Sequence, residues 1–258
     1  MTVASIKVCE TPLVLYTLRR ADDALILGHR LSEWCGHAPM LEEDMALANM
    51  SLDLLGQARE LYTYAAKVEG KGNDEDKFAY LRDVRQYGNL LLMELPNGDF
   101  ARTLMRQFFY SAFADLYWRA MMKSSDATLA AIAAKSEKES AYHLRHSSEW
   151  IVRLGDGTEE SHARAQAAID DLWAFTGEMF AVDDAERALI DAGVAIDPTN
   201  LKPQWLKTVT GVVAEATLTL PKNDWMQQGG RVGRHSEHLG HLLSELQSLQ
   251  RSFPGATW

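Results

Sequence analysis

The sequence predicts an all-α fold, and three observations carry that prediction. Only 7 of 258 residues are proline, so long stretches can run uninterrupted. Apolar residues recur at three- and four-residue steps, the period that lines one face of a helix. No segment of useful length alternates apolar with polar, as a half-buried strand would. The apolar share of 47% and charged share of 24% describe a chain that folds around a core. With 26 basic and 36 acidic residues the net charge is −10, which argues against nucleic acid or an anionic membrane as the main partner. Two cysteines, Cys9 and Cys35, are too few for a disulfide framework and suit a reducing compartment. The N-terminus lacks the pattern of a secretory leader. The longest near-apolar run, Phe108 to Trp118, is about half the ~20 residues a bilayer span requires and contains Asp115. A cytoplasmic protein without membrane contact is expected.

The elements follow from the punctuation. Pro12 opens a first helix, in which Val14, Leu18, Ala21, Leu25, Gly28 and Leu31 share a face, and Gly36 to Pro39 closes it. A second helix runs from Leu41 to about Glu69 with two apolar seams. One is Leu41, Met45, Ala48, Leu52, Leu55; the other is Leu47, Met50, Leu54, Ala58, Leu61, Ala65, Val68. Two seams predict a helix packed on more than one side. Residues 75 to 95 read as a third helix, ended by the turn Pro96-Asn97-Gly98-Asp99. Phe100 to Lys123 is a fourth, rich in aromatic residues that read as core. Residues 127 to 154 are a fifth, after a cap at Ser124-Ser125-Asp126. Thr158 caps a sixth that runs to about Phe180, and a seventh covers Asp184 to Ala192. Pro203 to Leu220 mixes helix and strand formers. Pro221 to Gly233 reads as a loop, and His235 to Ser252 as a last helix. The chain is expected to form a single domain over 1–258, a bundle at about 13–155 carrying a C-terminal helical appendage at about 156–258.

Two antiparallel helix pairs joined by a long crossover describe a ferritin-like four-helix bundle. Such a bundle holds two irons with one Glu from each of two helices and a Glu-x-x-His from each of the others. Positions i and i+3 project from one face, so both can reach metals held between helices. Asp22 and Asp53 lie about fifteen residues either side of the first interhelical turn. At 1.5 Å per residue both fall roughly 23 Å down the pair, at one level. Asp53 begins Asp53-Leu54-Leu55-Gly56, with glycine where histidine belongs. In the second pair, Glu139 is followed by Tyr142 at i+3 and His143 at i+4. The facing level of the fourth helix falls at Tyr110 and Ser111, with Asp115 one turn out. The true Glu-x-x-His, Glu159 to His162, sits at a helix start and reads as exposed. The scaffold spacing is present without the ligand set. No residue is therefore assigned as a metal ligand or catalytic group, and Asp22, Asp53, Glu139 and His143 are vestigial metal-site positions. Three readings of them stand: a buried polar network with Arg106, Lys135 and Lys138 as partners, solvated helix faces, or a metal site.

Other constellations are weaker. His238, His241 and Glu245 share a helix face from which His235 diverges, so they offer a metal cluster or ordinary helix-start polarity. Gly229-Gly230-Arg231-Val232-Gly233-Arg234 could hold a phosphate on its amides or simply connect, and it matches no nucleotide-binding pattern.

The segments Leu31 to Pro39, Leu47 to Arg59, Arg85 to Leu92, Glu94 to Gly98, Glu139 to Arg145, His235 to Gly240 and Leu249 to Arg251 resemble the C-subunit family of 1,2-phenylacetyl-CoA epoxidases. The likeness runs from about residue 15 to Trp258. It implies a place in a bacterial multicomponent oxygenase of phenylacetate degradation. Such an assembly epoxidises the aromatic ring of phenylacetyl-CoA with O2 and NADPH electrons delivered by a flavin and iron–sulfur reductase. The di-iron centre belongs to a ferritin-like sister subunit. This chain, without a cofactor of its own, is implied to be that subunit's non-catalytic structural partner. An isolated copy is expected to self-associate as a homodimer through the vacant pairing face. Two other classes remain open: an active di-iron carboxylate oxygenase, and a stand-alone acyl-CoA-binding helical protein.

Overall fold

The structure, a computed structural model, describes residues 5–256; the end residues 1–4 and 257–258 of the expected domain, Trp258 included, lie outside it. The described residues form eleven α-helices and short 3-10 turns, without a strand. α1 (Pro12–Ser32) and α2 (Leu41–Glu69) are one antiparallel pair, α5 (Phe100–Met121) and α6 (Ala127–Gly155) the other, and α2 meets α6. The arrangement is a ferritin-like helical bundle. Local chemistry sets the helix starts: the Thr11 hydroxyl accepts from Val14 N, Asp99 from Arg102 N, and Asp126 from Thr128 N and Leu129 N. Gly28 marks the crossing of α1 and α2. A Cβ there would stand 3.3 Å from the Ser51 carbonyl oxygen, and the Ser51 hydroxyl donates to the Gly28 carbonyl at 2.7 Å.

The C-terminal helices lie on this frame. α7 (Glu159–Leu172) and α9 (Lys202–Glu215) pack on α5 and α6, and α8 (Asp184–Asp191) packs on α1. The aromatics of α5 are core, as the sequence indicates. Phe109 meets Trp173 and Trp205, Phe113 meets Phe180, and the Trp205 indole donates to the Phe109 carbonyl at 2.9 Å. These large rings supply much of the apolar area that joins the two halves. On α1, the buried Arg20 pairs with the buried Glu186 of α8 at 2.8 Å.

Four expectations need correction, and one segment left open is resolved. The third helix over 75–95 is broken into α3 (Glu75–Tyr80), a 3-10 turn at Val84–Gln86 and α4 (Leu91–Glu94). The reason is competition for backbone donors. Asp22 accepts from Gly88 N at 2.8 Å and Asp23 from Leu90 N at 2.7 Å, so these amides do not serve a helix. The sixth helix ends at Leu172 and gives way to two 3-10 turns up to Phe180, while the last helix divides into α10 (Glu237–Leu246) and α11 (Ser248–Ser252). The mixed segment after Pro203 is helical in α9. Of the two seams on α2, the one from Leu47 to Val68 faces the core. In the other, Leu41, Met45 and Leu52 are exposed, with Ala48 and Leu55 half-buried. No described helix is long and apolar enough to cross a membrane.

Candidate functional site

Asp22 and Asp53 enter separate networks. Asp22 is fully buried and pairs with the equally buried Arg82 of the crossover. Its carboxylate also accepts from the Tyr62 hydroxyl at 2.6 Å and from Gly88 N. Arg82 spends its other donors on the carbonyls of Phe78 and Gln86, and its guanidinium lies over the Tyr87 ring at 4.2 Å. Every partner is fixed, as a buried charge requires.

Asp53, Glu139 and His143 lie in the seam between α2 and α6. His143 Nε2 is 3.0 Å from Asp53 Oδ2, and Gln57 donates to Glu139 at 2.8 Å. Further pairs extend the seam in both directions. His146 Nε2 meets Glu43 at 2.9 Å, Lys135 meets Glu60 at 2.6 Å, and the Tyr64 hydroxyl donates to Asp126. Burial raises the Glu139 pKa despite the Gln57 hydrogen bond, and burial lowers the His146 pKa despite Glu43. The small Ser136, Ser140 and Ser147 are buried along α6.

Of the expected partners, Lys135 lies in this seam and Arg106 lies elsewhere. Arg106 is buried beside the turn after α4, where it donates to the Leu95 carbonyl and the Asn97 side chain. Burial, with Arg30 and Arg102 nearby, pushes its pKa down to about 9. Lys135 pairs with Glu60, and Lys138 is exposed.

A second polar cluster, invisible to the spacing argument, ties the crossover to the C-terminal loop. Arg231 grips Asp23 with two hydrogen bonds, 3.0 and 2.7 Å, and donates to the Gly88 carbonyl at 2.7 Å. Burial raises the Asp23 pKa against the opposing pull of Arg231 and Arg20. Glu178 accepts from Leu91 N at 2.9 Å, Gly229 N at 3.0 Å and Arg231 N at 3.3 Å. The amides that would cradle a phosphate are thus occupied by a carboxylate. A Cβ at Gly230 would collide with the Asn89 carbonyl oxygen, so this glycine is the seat of the loop on the crossover.

The histidines near the C-terminus do not converge. His235 turns inward, with Nδ1 2.7 Å from Glu94 and Nε2 2.9 Å from the Tyr87 carbonyl. Burial alone would lower its pKa; the Glu94 hydrogen bond and charge and the Tyr87 carbonyl outweigh it and hold the pKa above the ordinary value. His241 and Glu245 are exposed, and His238 is half-buried. In the sequence Glu94 stands out as one charge in an apolar run, and Asp23 as one of two adjacent acids on a helix. Arg82, Arg231 and Glu178 carry no comparable signal.

The donor set does not fit a di-iron centre. Asp22 is committed to a guanidinium, Gly56 stands at the histidine position, and Tyr142 is 39% exposed. On α5 the facing level holds the Tyr110 ring and Ser111, whose hydroxyl accepts from Gln107 at 2.9 Å. Glu159 is exposed, and His162 is bonded to the Gly155 carbonyl. Among the described residues no three His, Cys, Asp or Glu side chains are grouped so as to hold a metal ion.

Residues 2–258 match the model of the phenylacetic acid catabolic protein family. The chain belongs to that family. A curated relative, the C subunit of 1,2-phenylacetyl-CoA epoxidase from Escherichia coli strain K12, is 50% identical over 246 residues. The alignment covers 95% of this chain and 99% of the relative. Family membership therefore extends over the bundle, the crossover and the C-terminal helices alike.

Proposed function

We propose that this chain is the non-catalytic structural subunit of a phenylacetyl-CoA ring-1,2-epoxidase, acting in cytoplasmic phenylacetate catabolism as one ferritin-like domain. The carrying observation is the relative named as the C subunit of 1,2-phenylacetyl-CoA epoxidase, aligned over almost the full length of both chains. The structural role is supported by the committed donors described above. Asp22 serves an arginine, His143 an aspartate, and Glu139 an amide. In this reading a sister di-iron subunit performs the O2- and NADPH-dependent chemistry. This chain stabilises and positions that subunit.

The test is co-expression with the sister subunit, followed by size-exclusion chromatography and epoxidation of phenylacetyl-CoA with the reductase supplied. The proposal expects a stable complex that is active where neither subunit alone is. Full turnover by the sister subunit alone would refute it, as would turnover by this chain alone.

A further inference from the structure

Toward the start of α6 the seam between α2 and α6 opens into a cleft of about 520 Å3. That volume falls in the range of small-ligand sites, roughly 300–1,000 Å3. Gly56, Glu60, Thr63 and Lys67 follow at steps of four, three and four and form one wall from α2. Thr128, Ile132 and Lys135, at steps of four and three, form the other from α6. Ile132 and Tyr64, both buried, give the cleft an apolar floor. The lining holds three cations, Arg59, Lys67 and Lys135, against the one carboxylate of Glu60, in a chain of net charge −10. Glu60 compensates Lys135 at 2.6 Å. Arg59 is 77% exposed and reaches Glu75 only at 3.7 Å. Lys67 makes no ion pair among the described residues. Two cations are thus left uncompensated on one cleft. Gly56 is a second, independent observation. Glycine inside a helix is destabilising relative to alanine, yet a Cβ at Gly56 would meet no neighbouring atom within 4 Å. No packing neighbour demands glycine there, and its bare backbone keeps the cleft wall open.

We propose that this cleft binds a small organic dianion, a phosphate monoester with a compact apolar body. A phosphate monoester carries about −1.5 to −2 charges at neutral pH, which matches the two uncompensated cations. Arg59 and Lys67 hold the phosphoryl oxygens by charge-assisted hydrogen bonds. The hydroxyls of Thr63 and Thr128, one from each wall, add neutral donors. Ile132, Tyr64 and the bare backbone at Gly56 receive the apolar body. The site is complete within one chain and stands whether or not the chain docks on a sister subunit.

The test is titration calorimetry of the full chain with phenyl phosphate, with inorganic phosphate and phenol as comparison probes. Saturable binding of phenyl phosphate at one site is expected, with both comparison probes markedly weaker. Arg59→Ala and Lys67→Ala alter exposed side chains, so circular dichroism should match wild type. Each is expected to weaken phenyl phosphate on the order of 10-fold, the loss of one charge-assisted hydrogen bond. Lys207→Ala, at an exposed lysine on α9, is the control and should bind as wild type. Gly56→Leu fills the cleft and gains helix propensity, so binding should vanish while thermal stability is kept or raised. Absence of phenyl phosphate binding overturns the proposal, as does equal binding of inorganic phosphate or of phenol. Equal weakening by Lys207→Ala shows general charge attraction and overturns the site. Undiminished binding by the Arg59 and Lys67 variants, or by a folded Gly56→Leu, places the ligand elsewhere and overturns it too.

Discussion

The bundle buries charge in two zones, and they obey different rules. Around the crossover, Asp22, Asp23, Glu94 and Glu178 are almost wholly buried, and each has several fixed donors. In the seam between α2 and α6, Asp53, Glu139 and Lys135 keep contact with water, and each side chain has essentially one partner. The crossover zone replaces the hydrogen bonds of a helix that does not form, so its carboxylates carry backbone that would otherwise be unsatisfied. The seam only registers two helices that are already complete. The comparison teaches that acidic residues in this bundle matter to stability in proportion to how much foreign backbone they hold.

That contrast can be broken by substitution. Arg82→Ala leaves Asp22 buried without its counter-charge and is expected to cost about 3–5 kcal/mol in denaturant unfolding. Glu178→Ala orphans the amides of Leu91, Gly229 and Arg231 and is expected to cost about 1–3 kcal/mol. Hydrogen exchange should then speed up first at those three amides. Asp53→Asn and Glu139→Gln act on half-exposed groups and are expected to shift stability by less than about 1 kcal/mol. Equal losses in the two zones would remove the distinction.

The division also explains what is legible in the sequence. The bundle helices, their caps and the aromatic core of α5 follow from local period and punctuation. The crossover does not, because Leu81 to Leu95 has the apolar spacing of a helix. What defeats that helix is held by residues far away in the chain: Asp22 and Asp23 on α1, Glu178 after α7, Arg231 beyond α9. The seam on α2 is legible as apolar, but a single chain cannot show whether its cover is internal. Asp53, Glu139 and His143 fall together by counting because all three are helix positions. Asp22 escapes the count because its partner Arg82 sits on irregular backbone.

A smaller effect sharpens the comparison through pH, since one histidine in each zone titrates with opposite sign. His235 gains Glu94 on folding and has a raised pKa, so its contribution is complete below the ordinary histidine value and is lost as pH rises through the raised value. His146 is half-buried with a lowered pKa, so unfolding takes up a proton and stability falls as pH drops below the ordinary value. Urea midpoints between roughly pH 5.5 and 8.5 should fall at both ends. His235→Gln should flatten the alkaline limb and His146→Gln the acidic one. A swap of the two limbs would contradict the assignment.

The central claim is that the carboxylates of this bundle serve structure and leave iron chemistry to a partner. Iron stoichiometry of the isolated chain, expressed in iron-supplemented medium and measured by elemental analysis, tests it most directly. The account predicts far less than one iron per chain, with stability unchanged by chelator. Close to two irons per chain, lost together with Asp53→Ala and Glu139→Ala, would contradict it.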